Sequence, residues 1–267
     1  MRKLLTFKSA VVGAWLLLVA IGCELESLEK PVIVPSVKRE FYVDMFEQLS
    51  SQHRSLQLLL ESIERQPCRN TIIDKSVVTS GQRLQVSLKS IVQPVDCLPG
   101  EAPAVAVADL GALPDGVYSL TIDLQNVVFN EGTLIVTREN YLLRMPRENG
   151  IALLRTELLR VPAQTIWGYA IWETAADEAI VQTFVFELQQ LTQERAYRAG
   201  HYGHFTINPA DGRVVVRQQP VTPTLRSFLY NLEAPNEAAL RNLIDRYRRD
   251  YAGKIIIRLY DSNGQEW

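Results

Sequence analysis

Histidine and cysteine are scarce, with three of each in 267 residues. That narrows the chemistry. No His-Glu-x-x-His pair is present, so the commonest helical zinc pattern is missing. No Gly-x-Ser-x-Gly elbow marks a serine hydrolase of that type. There is neither a Walker A loop nor a Gly-x-Gly-x-x-Gly turn, so the glycine-rich phosphate cradles are absent. Basic charge never accumulates. The 28 basic and 30 acidic residues give a net charge of −2, and no Lys/Arg run stands out. Nucleic-acid binding lacks its basic footprint. The uncharged stretch Ser9–Cys23 is 15 residues, short of the roughly 20 that span a bilayer as a helix.

What is present begins at the amino terminus. Arg2, Lys3 and Lys8 give a positive start, and an apolar run from Ala10 to Ile21 ends at Gly22-Cys23. This is the three-part plan of a secretory signal with a small residue at the cleavage point. Ala20-Ile21-Gly22-Cys23 resembles the lipobox of bacterial lipoproteins. Ala20 departs from the leucine the family prefers there. The resemblance implies cleavage before Cys23, lipid on its thiol and acylation, such as palmitate, on the new amino terminus. Two or more acyl chains give stable anchoring where one is marginal. An ordinary secretory signal and a permanent transmembrane helix are the alternatives. The expected location is the bacterial cell envelope, at the outer membrane, with the periplasmic or surface face left open. The acidic run Glu24–Glu29 resembles a surface-export signal of some Gram-negative groups, and it equally suits a solvated linker.

Residues 1–22 are thus a signal peptide and 23–39 a tether, in which Pro31 and Pro35 prevent continuous helix. The mature chain of 245 residues carries 25 basic and 30 acidic groups, a net of about −5. Its 47% apolar content suffices for packed cores. With Cys23 reserved for lipid, Cys68 and Cys97 remain. In an exported chain they read as one disulfide closing 28 residues.

The fold expected is α+β. Tyr42, Met45, Phe46, Leu49, Leu56, Leu59, Leu60 and Ile63 recur at three- and four-residue spacing, which predicts an amphipathic helix over 40–66. A heptad seam through the same stretch is broken at Gln52, so the helix packs on its own domain. From Cys68 to about Arg147 the period becomes two, with a hairpin turning near Gly81 and short strands between turn signals. This predicts a β-sandwich. Leu113-Pro114-Asp115-Gly116-Val117-Tyr118 resembles the strand entry of immunoglobulin-like modules, although the Cys…Trp…Cys signature is absent. Residues 40–147 are therefore read as a helix plus a β-sandwich-like domain. Residues 148–267 read as strand 165–172, helix 176–195, a hairpin of Phe205–Ile207 with Val214–Val216, a helix after Pro235-Asn236 and a final strand 254–260. That β-α-β-β-α-β order predicts a ferredoxin-like domain.

Few residues offer chemistry. His201 and His204 are three apart and could share a metal, or they could be two polar residues at a strand entrance. Trp167, Tyr169 and Trp172 form an aromatic cluster that either packs in the core or presents a surface to a glycan or protein. The expected function is a non-catalytic binding or assembly role for an anchored lipoprotein, with membrane contact through the lipid, an envelope protein or glycan partner, and no cofactor. The alternative is an envelope hydrolase or metal-dependent enzyme with its site near His201 and His204.

Overall fold

Two strands occupy the stretch expected as a helix. The computed structural model describes residues 38–267. The leader, Cys23 and the tether through residue 37 lie outside the described residues. Residues 40–66 contribute β1 (Phe41–Gln48) and most of β2 (Ser55–Cys68), paired antiparallel with Phe41 opposite Ser62. β1 buries every second residue: Phe41, Val43, Met45 and Glu47. β2 buries Leu56, Leu58 and Leu60. Both periods are written in this sequence. The period of two is masked because one inward position is a glutamate and because leucine fills 58, 59 and 60 in succession.

The next strands are β3 (Ile72–Ser80), β4 (Arg83–Val92), β5 (Pro99–Gly111), β6 (Gly116–Leu124), β7 (Val128–Val136) and β8 (Asn140–Arg144). Two short ones follow, β9 (Ile151–Leu153) and β10 (Glu157–Leu159). Gly81, at φ +59°, turns β3 into β4. Tyr118 is buried, and its hydroxyl donates to the Pro114 carbonyl at 2.8 Å. The expected sandwich is nevertheless wrong. All ten strands belong to one sheet, in the order β10-β8-β7-β6-β4-β3-β5-β2-β1-β9.

That order has a consequence. β9 pairs with β1 at one edge and β10 pairs with β8 at the other, yet only residues 154–156 separate β9 from β10. The Leu154 amide donates to the Val43 carbonyl at 2.9 Å, and the Leu143 amide donates to the Thr156 carbonyl at 2.8 Å. The two edges therefore meet on one short segment, and the sheet curls into a barrel closed by that segment rather than by a ladder between β9 and β10. One core fills it, drawing Val43, Leu58, Val86, Ile122, Leu134 and Ile151 from six strands. One continuous hydrogen-bonded order through all ten strands is what distinguishes this arrangement from two stacked sheets. Cys68 and Cys97 are bonded, with Cα atoms 5.3 Å apart, and join the end of β2 to the chain entering β5.

The remaining elements are β11 (Thr165–Trp172), α1 (Glu178–Gln190), β12 (Thr192–Gln193), β13 (Gly200–His201), β14 (Phe205–Ile207), β15 (Val214–Val216), β16 (Leu225–Leu232), α2 (Glu237–Asp250) and β17 (Ile255–Asp261). The expected ferredoxin-like arrangement does not hold. The hairpin assigned to its middle strands forms, but it joins β13 in a separate three-stranded sheet. The larger sheet is β12-β16-β11-β17, in which β12 is only two residues long. β16 was hidden in the sequence because only Phe228 and Leu232 of its residues are fully buried, so its alternation is weak. The chain as described is mostly β, with two helices.

Both helices cover one face of the four-stranded sheet. Val181, Phe184 and Leu188 of α1 and Leu240, Ile244 and Tyr247 of α2 pack on Ile166, Ala170 and Leu259. The opposite face carries Trp167 and Tyr169 into a third core, with Tyr202, Phe205 and Val216 of the small sheet and Leu49, Leu159 and Val161 from the barrel's rim. This third core joins barrel, small sheet and α/β layer. Residues 38–267 accordingly pack as one compact unit.

Candidate functional site

Two clusters of charge lie on either side of β1, and alternation along the strand decides which residue joins which. Glu47 points inward and is fully buried. Its Oε1 accepts from the Tyr141 hydroxyl at 3.0 Å and from Arg160 Nε at 2.9 Å. Its Oε2 lies 3.6 Å from Arg54 Nη1 and accepts from the Val161 amide at 3.4 Å. Arg54 also donates to the Val161 carbonyl and, at 3.3 Å, to the Ser262 carbonyl beyond β17. Arg160 donates to the Thr137 carbonyl at 3.1 Å and lies over the Tyr141 ring. A buried carboxylate is costly unless paired and hydrogen-bonded, and this one is both. Burial, then the charge of Glu47, pushes the Tyr141 hydroxyl above its ordinary value. The cluster pins the closing segment after β10 to β1 and to the α/β layer.

Asp44 and Phe46 point the other way, into a cleft of about 650 Å³ between the barrel and the small sheet. The linker contributes Leu154 and Arg155. The small sheet contributes His201, Thr206, Val215 and the turn Arg217–Pro220. Asp44 pairs with Arg155. Burial raises the Asp44 pKa, against the pull of Arg155. Arg217 lies over the Phe46 ring, 4.5 Å from its centre. Gln219 fixes the turn that carries Arg217, because its Oε1 accepts from the Val216 amide at 2.8 Å and from the Ser227 hydroxyl at 2.9 Å. Gln218, between them, is held at φ +62°, a region unfavourable for residues with a Cβ.

His201 and His204 take different roles. His204 Nε2 donates to the Glu47 carbonyl at 2.8 Å, and its ring packs on Phe46 and Trp167 at centroid distances of 4.6 and 5.3 Å. Burial lowers its pKa. It is a structural peg. His201 lines the cleft, with Nδ1 2.9 Å from the Thr206 hydroxyl. Burial, then the charges of Arg155 and Arg217, lower its pKa to about 4. No group of three or more His, Cys, Asp and Glu side chains poised to hold a metal occurs among the described residues. Trp167 and Tyr169 are buried in the third core, and Trp172 is half-buried against the helical core. The aromatic cluster is divided between two packed faces of the sheet.

No family model, curated protein or solved structure matches this chain. The site must therefore be read from its own geometry. Sequence reasoning reached His201 but not Arg155, Arg213 and Arg217, which come from two parts of the chain. A signal existed for Glu47 alone, as the one charge on the inward register of β1.

Proposed function

We propose that this chain is an exported lipoprotein, tethered to the bacterial cell envelope through Cys23, whose folded part has a non-catalytic binding or assembly role. The observation that carries the binding role is the cleft. It is lined by arginines, glutamines, threonines and apolar side chains, with Asp44 and His201 among them. Its volume falls in the range of small-molecule and peptide sites. The leader supports the anchor, and the disulfide suits an oxidising compartment. No helix among the described residues is long and apolar enough to cross a membrane.

A hydrolase is the second reading, favoured by the contact between His201 and the Thr206 hydroxyl. It is the weaker one. A base with a pKa near 4 is a poor acceptor for an alcohol proton at neutral pH. In-cell cross-linking followed by identification of captured partners tests the binding role. A reproducible envelope partner, lost when the cleft is altered, is the expected result. Esterase turnover by the purified chain that disappears in His201→Ala would overturn it.

A further inference from the structure

The cleft combines two chemistries rarely left exposed together. On one wall and at the rim are Arg155, Arg213 and Arg217, against the single carboxylate of Asp44. Arg155 is engaged by Asp44, which also feels the charge of Arg217, whereas Arg213 and Arg217 form no salt bridge among the described residues. On the other walls are Leu154, Val215 and Val221, with relative exposures of 52%, 42% and 106%. The chain as a whole is acidic, so this cationic concentration runs against its composition.

Three observations indicate that the arginines are held for a ligand. Arg217 lies over Phe46, a contact that restrains the guanidinium without using up its N–H donors. The turn that carries it is fixed by Gln219 despite the unfavourable backbone of Gln218. The positive field reaches the cleft wall, because Arg155 and Arg217 both help to hold His201 neutral.

We infer that this cleft binds an amphipathic organic anion, whose carboxylate, sulfonate or phosphate meets Arg217 and Arg213 while its apolar body lies on Leu154, Val215 and Val221. A guanidinium matches such oxyanions with paired N–H donors. Neutral His201 adds a polar contact without neutralising the field. The assignment rests on the reading of the cleft as the binding site and adds the class of ligand.

The experiment uses residues 24–267, since residues 38–267 carry all three cores and pack as one unit. The probes are 8-anilinonaphthalene-1-sulfonate and N-phenyl-1-naphthylamine, which share an apolar body and differ in the anion. Titrations are followed by fluorescence and by amide chemical shifts. Saturable 1:1 binding of the sulfonate is expected, at least tenfold tighter than the neutral amine, with shifts centred on Leu154, Thr206 and Gln218. R213Q/R217Q is expected to weaken the sulfonate at least tenfold, since each charge-assisted bond is worth about that factor or more, and to leave the amine unchanged. R138Q, highly exposed and outside the cleft lining, is the control and should change neither. Thermal unfolding verifies that each variant is folded. Equal affinity for the two probes, unaltered sulfonate binding in the double variant, or shifts mapping outside the cleft would each overturn the assignment. If it fails while cross-linking still captures a partner through the cleft, only the ligand class falls.

Discussion

The Glu47 and Arg217 clusters sit on opposite faces of β1, with Glu47 one residue from Phe46 and three from Asp44, and they solve opposite problems. Around Glu47 the carboxylate is fully buried, and both arginines are mostly shielded and paired with it. Two arginines, a tyrosine hydroxyl and a backbone amide converge on one carboxylate. Around Arg217 the guanidinium groups are exposed, and two of three form no salt bridge among the described residues. Desolvated charge that is fully satisfied fixes how elements close on one another. Exposed charge of one sign beside exposed apolar surface contributes little to stability and is available to a ligand. The first cluster builds the molecule, and the second is where it meets something else.

The largest way to break that contrast is Glu47→Ala. It leaves Arg160 and Arg54 facing a buried void, and removing one partner of a buried pair costs about 3–5 kcal/mol. Urea denaturation should show a loss of that size, with the barrel closure and the α/β layer loosened together. Next is the disulfide. C68S/C97S frees a loop of 29 residues' separation and should cost about 2–4 kcal/mol, read as a lower denaturation midpoint. Gly168→Ala is expected to cost about 1–3 kcal/mol by overpacking, because a Cβ there would meet the Arg258 carbonyl oxygen at 2.1 Å and the Phe228 ring at 2.9 Å. A lower melting temperature with an unchanged cleft would be the outcome.

A smaller effect concerns pH. His201 has a folded-state pKa of about 4 against an ordinary 6.5, caused first by burial and then by Arg155 and Arg217. Between those values the unfolded chain binds more protons than the folded one. Folding therefore loses stability as pH falls from about 6.5 to 4, and the loss levels off below that. His204 acts in the same direction, and Asp44, whose pKa is raised, opposes both. Comparing wild type with His201→Gln isolates the contribution of His201: the variant's stability should fall less steeply across that window. Identical slopes would mean that His201 is free to charge in the folded protein.

Legibility in the sequence followed the same division. The hairpin at Gly81, β6 with Tyr118, β11, both helices of the α/β layer and the Cys68–Cys97 bond were readable, since each depends on local pattern or on cysteine pairing. β1 and β2 were misread because Met45, Phe46 and Leu49 satisfy a helical spacing while Phe41, Val43 and Met45 satisfy a strand, and Glu47 breaks the inward alternation. Barrel closure depends on β9 and β10, each three residues long, too short for any periodicity. The cleft was invisible for a different reason. Arg155 lies in the linker between β9 and β10, and Arg213 and Arg217 flank β15, so their meeting is a product of closure rather than of spacing. His201 and His204 were legible as a pair and misleading as one, since one is a peg and the other lines the cleft.

The smallest expected effect completes the comparison and supplies its most direct test. Urea denaturation of wild type, Glu47→Gln and R213Q/R217Q, measured side by side, asks whether the two clusters differ in kind. The account predicts a loss of several kcal/mol for Glu47→Gln and a change within about 1 kcal/mol for the double arginine variant, the scale of one exposed cation–π contact over Phe46. Comparable losses in both variants, or a larger loss in the arginine variant, would contradict it, because the cleft arginines would then be holding the fold together rather than standing ready for a ligand.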